Sequence, residues 1–479
     1  MNALPLMLLL ASTPTLPVEA GAKFSAGAAS PVGETPWWET VSDPKLRAIV
    51  DTALARNLDV AAATARIAIA RSIADQSAAP LYPLVTANAS MTVVPTNTLG
   101  FQFGLSGATN PSGMGGMGGM GSAGGGTASS DLFWRGSATL DARYAIDAWW
   151  RQHPAARAAR LEAHASTDER DDFAIRLATQ VAGAYLDAVA ARERLVKLEE
   201  QLSTLQKLEE LTELRFQRSE ASGIDVLQQR QQVAGARARI PDARSQYKLQ
   251  TRRLLVLLGQ SPTEAPPAVS ESLPVAGPLP PVGTPADVAH NRPDVRALGA
   301  RLAAAQKRRA AAFGNHLPTV ALTAQAGLQA NRRTSWNSQE IYSGGLSISL
   351  PVFRGGADVA AVRQASAAIN AARRAYGQSI LRAVGEVETA LVREAEQREA
   401  LEALEQQAAA AKLAWTESKA RYTEGLTPYL TVLTAINALN AAELNLIGAR
   451  RALIGIRIDL HQALGGAWTR GIAKEGEAS

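Results

Sequence analysis

Hydrophobic and polar residues alternate with a period of two in four short stretches of the chain, and hydrophobic residues recur every seven positions in two long ones. Val85, Ala87, Ala89, Met91 and Val93 share one face opposite Thr86, Asn88, Ser90 and Thr92. Leu140, Ala142, Tyr144, Ile146 and Ala148 oppose Thr139, Asp141, Arg143 and Asp147. Val320, Leu322, Ala324, Ala326 and Leu328 oppose Thr323, Gln325 and Gln329, and Leu346, Ile348, Leu350 and Val352 oppose Ser347 and Ser349. This periodicity predicts four strands, over about 84–103, 132–150, 317–330 and 342–353. Their apolar faces use medium-sized residues, while aromatics gather near the predicted strand ends: Phe133, Trp134, Trp149, Trp150, Tyr342 and Phe353. Amphipathic rings favour a membrane–water interface, so the pattern suits a transmembrane β-barrel better than a half-buried soluble sheet. Four strands cannot close a barrel, and an open edge in lipid leaves backbone groups unpaired; the chain must share its barrel with copies of itself.

The seven-residue spacing runs through Val432, Leu439, Leu446, Leu453 and Leu460, with Ala435, Ala442, Ala449, Ile456 and Ala463 on the companion position. Val226, Val233, Ile240, Tyr247 and Leu254 keep the same register earlier in the chain. Large residues alternating with alanine allow close helix approach along a coiled-coil seam. Helices are predicted over about 154–216, 223–258, 357–422 and 427–464, with a bend at Pro241. The first and third are each on the order of 90–100 Å long at 1.5 Å per residue, which calls for a ring of similar helices around them. Gly223 and the segment 425–428 turn the chain back, so each long pair forms an antiparallel hairpin.

The two hairpins belong to a duplication. At an offset of 206, Arg215 matches Arg421, Phe216 matches Tyr422, Val226 matches Val432, and Gly259 matches Gly465. The stretch 58–72 is similar to 293–307, and 81–93 to 316–328. The reading is a signal-like segment 1–22, an extended segment 23–45, a first repeat 46–260, a Pro-rich linker 261–285, a second repeat 286–466 and a tail 467–479. Each repeat reads helix, strand, loop, strand, very long helix, turn, long helix, and Arg354–Gly356 marks the joint between strand and long helix.

Composition removes several function classes. There are no cysteines among the 479 residues, which excludes disulfides, thiolate metal sites, a cysteine nucleophile and N-terminal lipidation. The five histidines are scattered without metal-ligand spacing, and the net charge of +5 is not gathered into a basic block of the kind that binds nucleic acid. No run of 18 apolar residues predicts a membrane-spanning helix. No catalytic or nucleotide-binding signature occurs, so neither an enzyme nor a cofactor is expected. The Gly/Met loop 106–130 is low-complexity, and Met114, Met117 and Met120 are read as loop composition in preference to a soft-metal site.

With these elements in place, the chain resembles the TolC/OprM family of outer-membrane efflux channels, in its NodT-like branch. The resemblance is carried by "YAIDAWWR" (144–151), "ARIPDARSQ" (238–246), "LLVLLGQSP" (254–262), "NRPDVRALGARLAAA" (291–305), "LSISLPVFRGG" (346–356) and "RYTEGLTPYLTVLTA" (421–435). It covers about Trp37 to Trp468. It implies a mainly α fold with a β portion: a homotrimer with a twelve-stranded outer-membrane barrel in lipid, an α-helical tunnel through the periplasm, and an equatorial belt of short helices. It further implies a periplasmic adaptor, an inner-membrane efflux pump as the energy source, and no chemistry in the channel itself. A protein-secretion channel and a periplasmic coiled-coil adaptor are the alternatives.

By position, the resemblance places a periplasmic gate at Arg421, Tyr422, Gly425, Leu430, Thr434 and Asp225. Leu430 would be a hydrophobic constriction, and Arg421 with Tyr422 would make closing hydrogen bonds. The hairpin tips that would dock the adaptor carry Arg215, Phe216, Ser219, Ser222, Gly223, Thr427 and Pro428. Thr434 stands where many relatives have an acid. Ser219 stands where the second repeat has Gly425, which leaves the first turn free to differ. "AWWR" replaces the family's usual Leu-Phe-Gly-Arg at 148–151.

Overall fold

A computed structural model describes residues 24, 36–95, 132–332 and 335–465. The signal-like segment, the Gly/Met loop and the tail lie outside the described residues. The chain divides into two compact units: a strand unit of residues 75–156 and 309–362, and a helical unit of the remainder.

In the strand unit, β1 (Leu84–Pro95), β2 (Leu132–Ile146), β3 (Thr319–Arg332) and β4 (Trp336–Ser349) form one sheet in the order β1-β2-β3-β4. All three pairings are antiparallel, and the register keeps polar rows together: Thr86 faces Asp141, Asp141 faces Gln325, and Gln325 faces Ser343. The period-two pattern therefore becomes two chemically distinct faces. The apolar face is uncovered: Val85, Met91, Leu140, Leu322, Leu328, Leu346 and Ile348 are all exposed. β1 and β4 are both edges.

Three strand limits differ from the sequence expectation by more than two residues, and the expected stretch 96–103 of the first strand lies outside the described residues. β4 begins at Trp336, so Tyr342 sits inside the strand opposite Ala326 and not at its end. The upstream half escaped notice because its outward positions are Trp336, Ser338 and Glu340, which do not alternate in hydrophobicity. β4 ends at Ser349, since Pro351 has no amide to donate, leaving Val352 and Phe353 exposed beyond it. β2 stops at Ile146 because Asp147 turns the chain: its carboxylate accepts from the backbone N–H of Arg151 at 2.6 Å, of Gln152 at 3.0 Å and of His153 at 3.1 Å. Free amides at a helix start are satisfied in this way. Trp149 and Trp150 thus lie exposed in that turn, with Trp150 at φ 56°; Trp134 pairs with Val93, and the backbone of Phe133 with Val94.

The helical unit holds α1 (Trp37–Thr40), α2 (Pro44–Arg56), most of α3 (Leu58–Ala78), nearly all of α4 (Gln152–Gln217), α5 (Gly223–Leu257), α6 (Pro285–Asn291), most of α7 (Pro293–Gly314), nearly all of α8 (Ala357–Thr423) and α9 (Tyr429–Leu464). α5 passes through Pro241 without a break. Two cores repeat the duplication. Trp38, Leu46 and Val50 of α1 and α2 pack on Val181, Tyr185 and Val189 of α4, with Leu254 of α5. Val288 and Val295 of α6 and α7 pack on Ile380, Val387 and Leu391 of α8, with Leu460 and Leu464 of α9.

By length and hydropathy, α9 alone among the described helices could cross a membrane, contrary to the expectation from the sequence. Its packing accounts for that composition. Val432, Leu439, Leu453, Leu460, Ala442, Ala449 and Ala463 of the heptad are buried, as are Ile436, Ile447 and Ile458 between them.

Candidate functional site at the hairpin ends

Each hairpin ends in a turn built by backbone hydrogen bonds. In the first, Ser219 N–H donates to Phe216 at 2.9 Å and Glu220 N–H to Arg215 at 2.8 Å. In the second, Gly425 N–H donates to Tyr422 at 3.0 Å and Leu426 N–H to Arg421 at 2.8 Å. Both pairs close the last helical turn around a left-handed residue, the usual helix C-terminal motif. Ser219 has φ 62° and Gly425 has φ 79°. The serine does not change the turn, so the freedom left to the first turn is not used.

The return helices begin differently. Ser222 caps α5: its hydroxyl accepts from Ile224 N–H at 3.3 Å, while Asp225 accepts from Ser222 N–H at 3.1 Å. Asp225 is thereby a capping residue. α9 starts after Pro428 with no side-chain cap.

Between the turns lies a cross-link. The Arg215 guanidinium donates to the Tyr422 carbonyl and stacks over the Tyr422 ring at 4.6 Å. Tyr422 is buried and meets Tyr429 edge-on at 6.2 Å. The Tyr429 hydroxyl donates to Gln229 Oε1 at 2.5 Å, and fully buried Gln229 donates onward to the Leu205 carbonyl at 2.6 Å. Burial, with smaller contributions from Tyr422 and Asp225, holds the Tyr429 hydroxyl well above its ordinary pKa, so it remains a donor at any physiological pH. Three buried polar atoms here lack a hydrogen-bond partner: Arg215 Nε, Tyr422 Oη and Thr427 Oγ1. The Glu220 carboxylate approaches that Nε only to 3.7 Å.

The structure divides the expected gate residues. Tyr422 and Gly425 join Arg215 in the cross-link, since an added Cβ on Gly425 would lie 3.5 Å from Arg215 Nη2. Arg421 does not join them: it is exposed and pairs with Glu417, one turn back, at 2.7 Å. Thr434 donates to the Leu430 carbonyl at 2.8 Å, spending its hydroxyl on its own helix. Leu430 is 64% exposed, and its repeat partner Ile224 is also 64% exposed. Phe216 is exposed over Gly223, 3.6 Å from where a Cβ would stand. Sequence reading missed Gln229 and Tyr429 as a pair, because a polar residue in a helix signals nothing until its partner 200 residues away is known.

No group of three or more metal-ligating side chains occurs among the described residues. The arrangement can hold helices together and present apolar side chains.

Similarity to known proteins agrees with this picture. The chain is 28% identical over 472 residues to the pyoverdine export outer membrane protein OpmQ of Pseudomonas putida, covering 97% of this chain and 96% of that protein. It is 24% identical to nodulation protein T of Rhizobium leguminosarum bv. trifolii, over 97% and 94% of the two chains. The solved outer-membrane channel OprN superposes with a TM-score of 0.80 at 26% identity, covering 95% of this chain and 98% of OprN. The sequence pattern of the outer membrane efflux protein family matches residues 49–260 and 284–466, the two repeats. The chain belongs to the outer membrane efflux protein family, whose members are TolC-like channels of the outer membrane and not enzymes.

Proposed function

We propose that the chain is the outer-membrane duct of a tripartite efflux pump, active as a homotrimer whose copies close a twelve-stranded barrel. One observation carries this reading: a single four-stranded sheet exposes its apolar face and leaves both β1 and β4 as edges. Water penalises the first feature, which lipid relieves by covering the apolar face; lipid forbids the second, which closure by identical neighbours relieves. An inner-membrane pump would supply the energy, a periplasmic adaptor would dock on the hairpin ends, and the duct would pass small molecules without a cofactor. Purified protein in detergent should have a protein mass of three copies; a monomer that stays soluble without detergent would sink the proposal.

The hairpin ends are the proposed gate. Support comes from the three unpartnered polar atoms beside the Arg215–Tyr422 link, since a buried unmade hydrogen bond costs about 1–3 kcal/mol and favours an arrangement that satisfies it. Leu430, exposed in one copy, would meet its counterparts where three copies converge. Leu430→Ala should raise single-channel conductance, and Ile224→Ala at the repeat-equivalent position should not. Equal effects, or none, would remove Leu430 as the constriction.

A further inference from the structure

The polar face of the sheet carries charge in a particular order. Arg135, Asp141 and Arg143 of β2 lie on it, and among the described residues of that face β1, β3 and β4 add only uncharged side chains. Asp141 and Arg143 stand two positions apart on one face, close enough to neutralise each other, yet they make no ion pair. The carboxylate is committed elsewhere. Its Oδ2 accepts from Asn88 Nδ2 at 2.7 Å and from Thr139 Oγ1 at 2.9 Å, and Gln325 adds a third hydrogen bond. Gln325 in turn accepts from Ser343 at 3.4 Å, so the row is linked across all four strands.

Arg143 has the opposite surroundings. Its row partners are Leu84, Thr323 and, one strand further, Gly345. None is acidic. A Cβ added to Gly345 would be 3.5 Å from Thr323 Oγ1, and apart from its chain neighbours no other described side chain comes within 4 Å of that position. The guanidinium is exposed, with no ion-pair partner among the described residues.

We propose that Arg143 sets the charge selectivity of the barrel: three copies form a ring of unneutralised guanidinium groups that favours anionic small molecules over cationic ones. This rests on the closed-barrel reading above, in which the polar face lines the lumen. Asp141 serves as the hub of the hydrogen-bonded row, whose neutral donors fix its carboxylate without cancelling its charge, and the face carries Arg135 and Arg143 against this one acid. A ring of fixed charge in a wide aqueous lumen acts through a screened field, so its effect is greatest at low ionic strength.

The test is the reversal potential of the purified protein in planar lipid bilayers under a tenfold KCl gradient at low salt, with K⁺ and Cl⁻ as probes. Arg143→Gln should shift the reversal potential toward that of K⁺, changing the permeability ratio roughly twofold at this degree of screening. Arg143→Lys should restore the original value, and Asp141→Asn should shift it the opposite way, toward Cl⁻. An unchanged reversal potential in Arg143→Gln overturns the selectivity role while channels still form. Absence of channels in the unaltered protein overturns the duct reading itself. If Arg143→Gln fails to fold, the same decision falls to Asp141→Asn, where no shift toward Cl⁻ overturns the proposal.

Discussion

At the end of the first hairpin a serine takes φ 62°, and at the end of the second a glycine takes φ 79°, with the same two backbone hydrogen bonds around each. Further along, Gly259 and Gly465 also share a left-handed backbone, at φ 70° and 84°. The carbonyl of Arg56 packs against the first and the backbone of Arg292 against the second. The duplication has thus kept its backbone and let its side chains diverge. Arg215 and Arg421 occupy the same repeat position, yet one crosses to the other hairpin and the other lies on the surface. Backbone geometry is constrained by every neighbour at once, whereas a side chain at a tip needs only one partner.

The sharpest way to break the equivalence is at the two glycines. A Cβ on Gly259 would lie 2.7 Å from the Arg56 carbonyl oxygen, and one on Gly465 would lie 2.9 Å from Arg292 Cα. Backbone cannot rotate aside as a side chain can. With left-handed strain added, Gly259→Ala and Gly465→Ala should each cost about 3 kcal/mol or more in thermal or denaturant unfolding. A cost confined to one repeat would show that the matching turns do unequal work.

The arginines should separate the halves. Arg215→Ala removes a hydrogen bond to a buried carbonyl and a cation–π contact, and should destabilise by about 2 kcal/mol. Arg421→Ala removes only an exposed i,i+4 pair with Glu417, for about 0.5 kcal/mol or less. A double-mutant cycle between Arg215 and Tyr422→Leu should show coupling through the ring contact, whereas one between Arg421 and Tyr422 should show none.

Exchanging the turn residues sharpens the comparison at smaller scale. Ser219 bears the cost of a side chain in the left-handed region, about 1 kcal/mol, which Gly425 avoids. Ser219→Gly should stabilise the chain by up to that amount, and Gly425→Ser should destabilise it by a similar one. If Ser219→Gly instead destabilises, the serine hydroxyl has a role in the first turn that the second lacks.

What could be read from the sequence follows the same division. The sheet faces and heptads were legible because period two and period seven report burial directly, and the paired glycines because duplication marked them. The start of β4 was hidden, since Trp336, Asn337, Ser338 and Gln339 carry no alternation and are held by pairing with β3 alone. The hairpin cross-link was also hidden. Arg215 and Tyr422 are 207 residues apart, and the position-by-position expectation gave Tyr422 a gate role and Arg215 a place at the hairpin tip without joining the two. Such expectation carries backbone position well and side-chain partnership poorly.

A last, pH-dependent effect concerns a charge that the second half lacks at the matching position. At the 206-residue offset, Asp172 of α4 corresponds to Gln378 of α8, which is exposed and cannot titrate. Burial raises the Asp172 carboxyl to about 6, with Asp294 and Glu386 adding to the rise and Arg176 and Arg292 opposing it. Because the folded-state value lies above the ordinary 3.8, the folded protein holds this proton more tightly than the unfolded chain. Stability from this group is therefore full below pH 4 and is lost as pH rises through about 6. Asp172→Asn keeps the shape without the ionisation, so its stability relative to the parent should rise between pH 5 and pH 7.5 by about 1 kcal/mol. The Arg176 pair is already among the opposing contributions to the value of about 6, so its loss needs no separate allowance in the predicted rise. A difference between parent and variant that stays flat or falls across that window would mean that the Arg176 pair offsets the burial cost, making Asp172 as neutral to the fold as the amide in the other repeat.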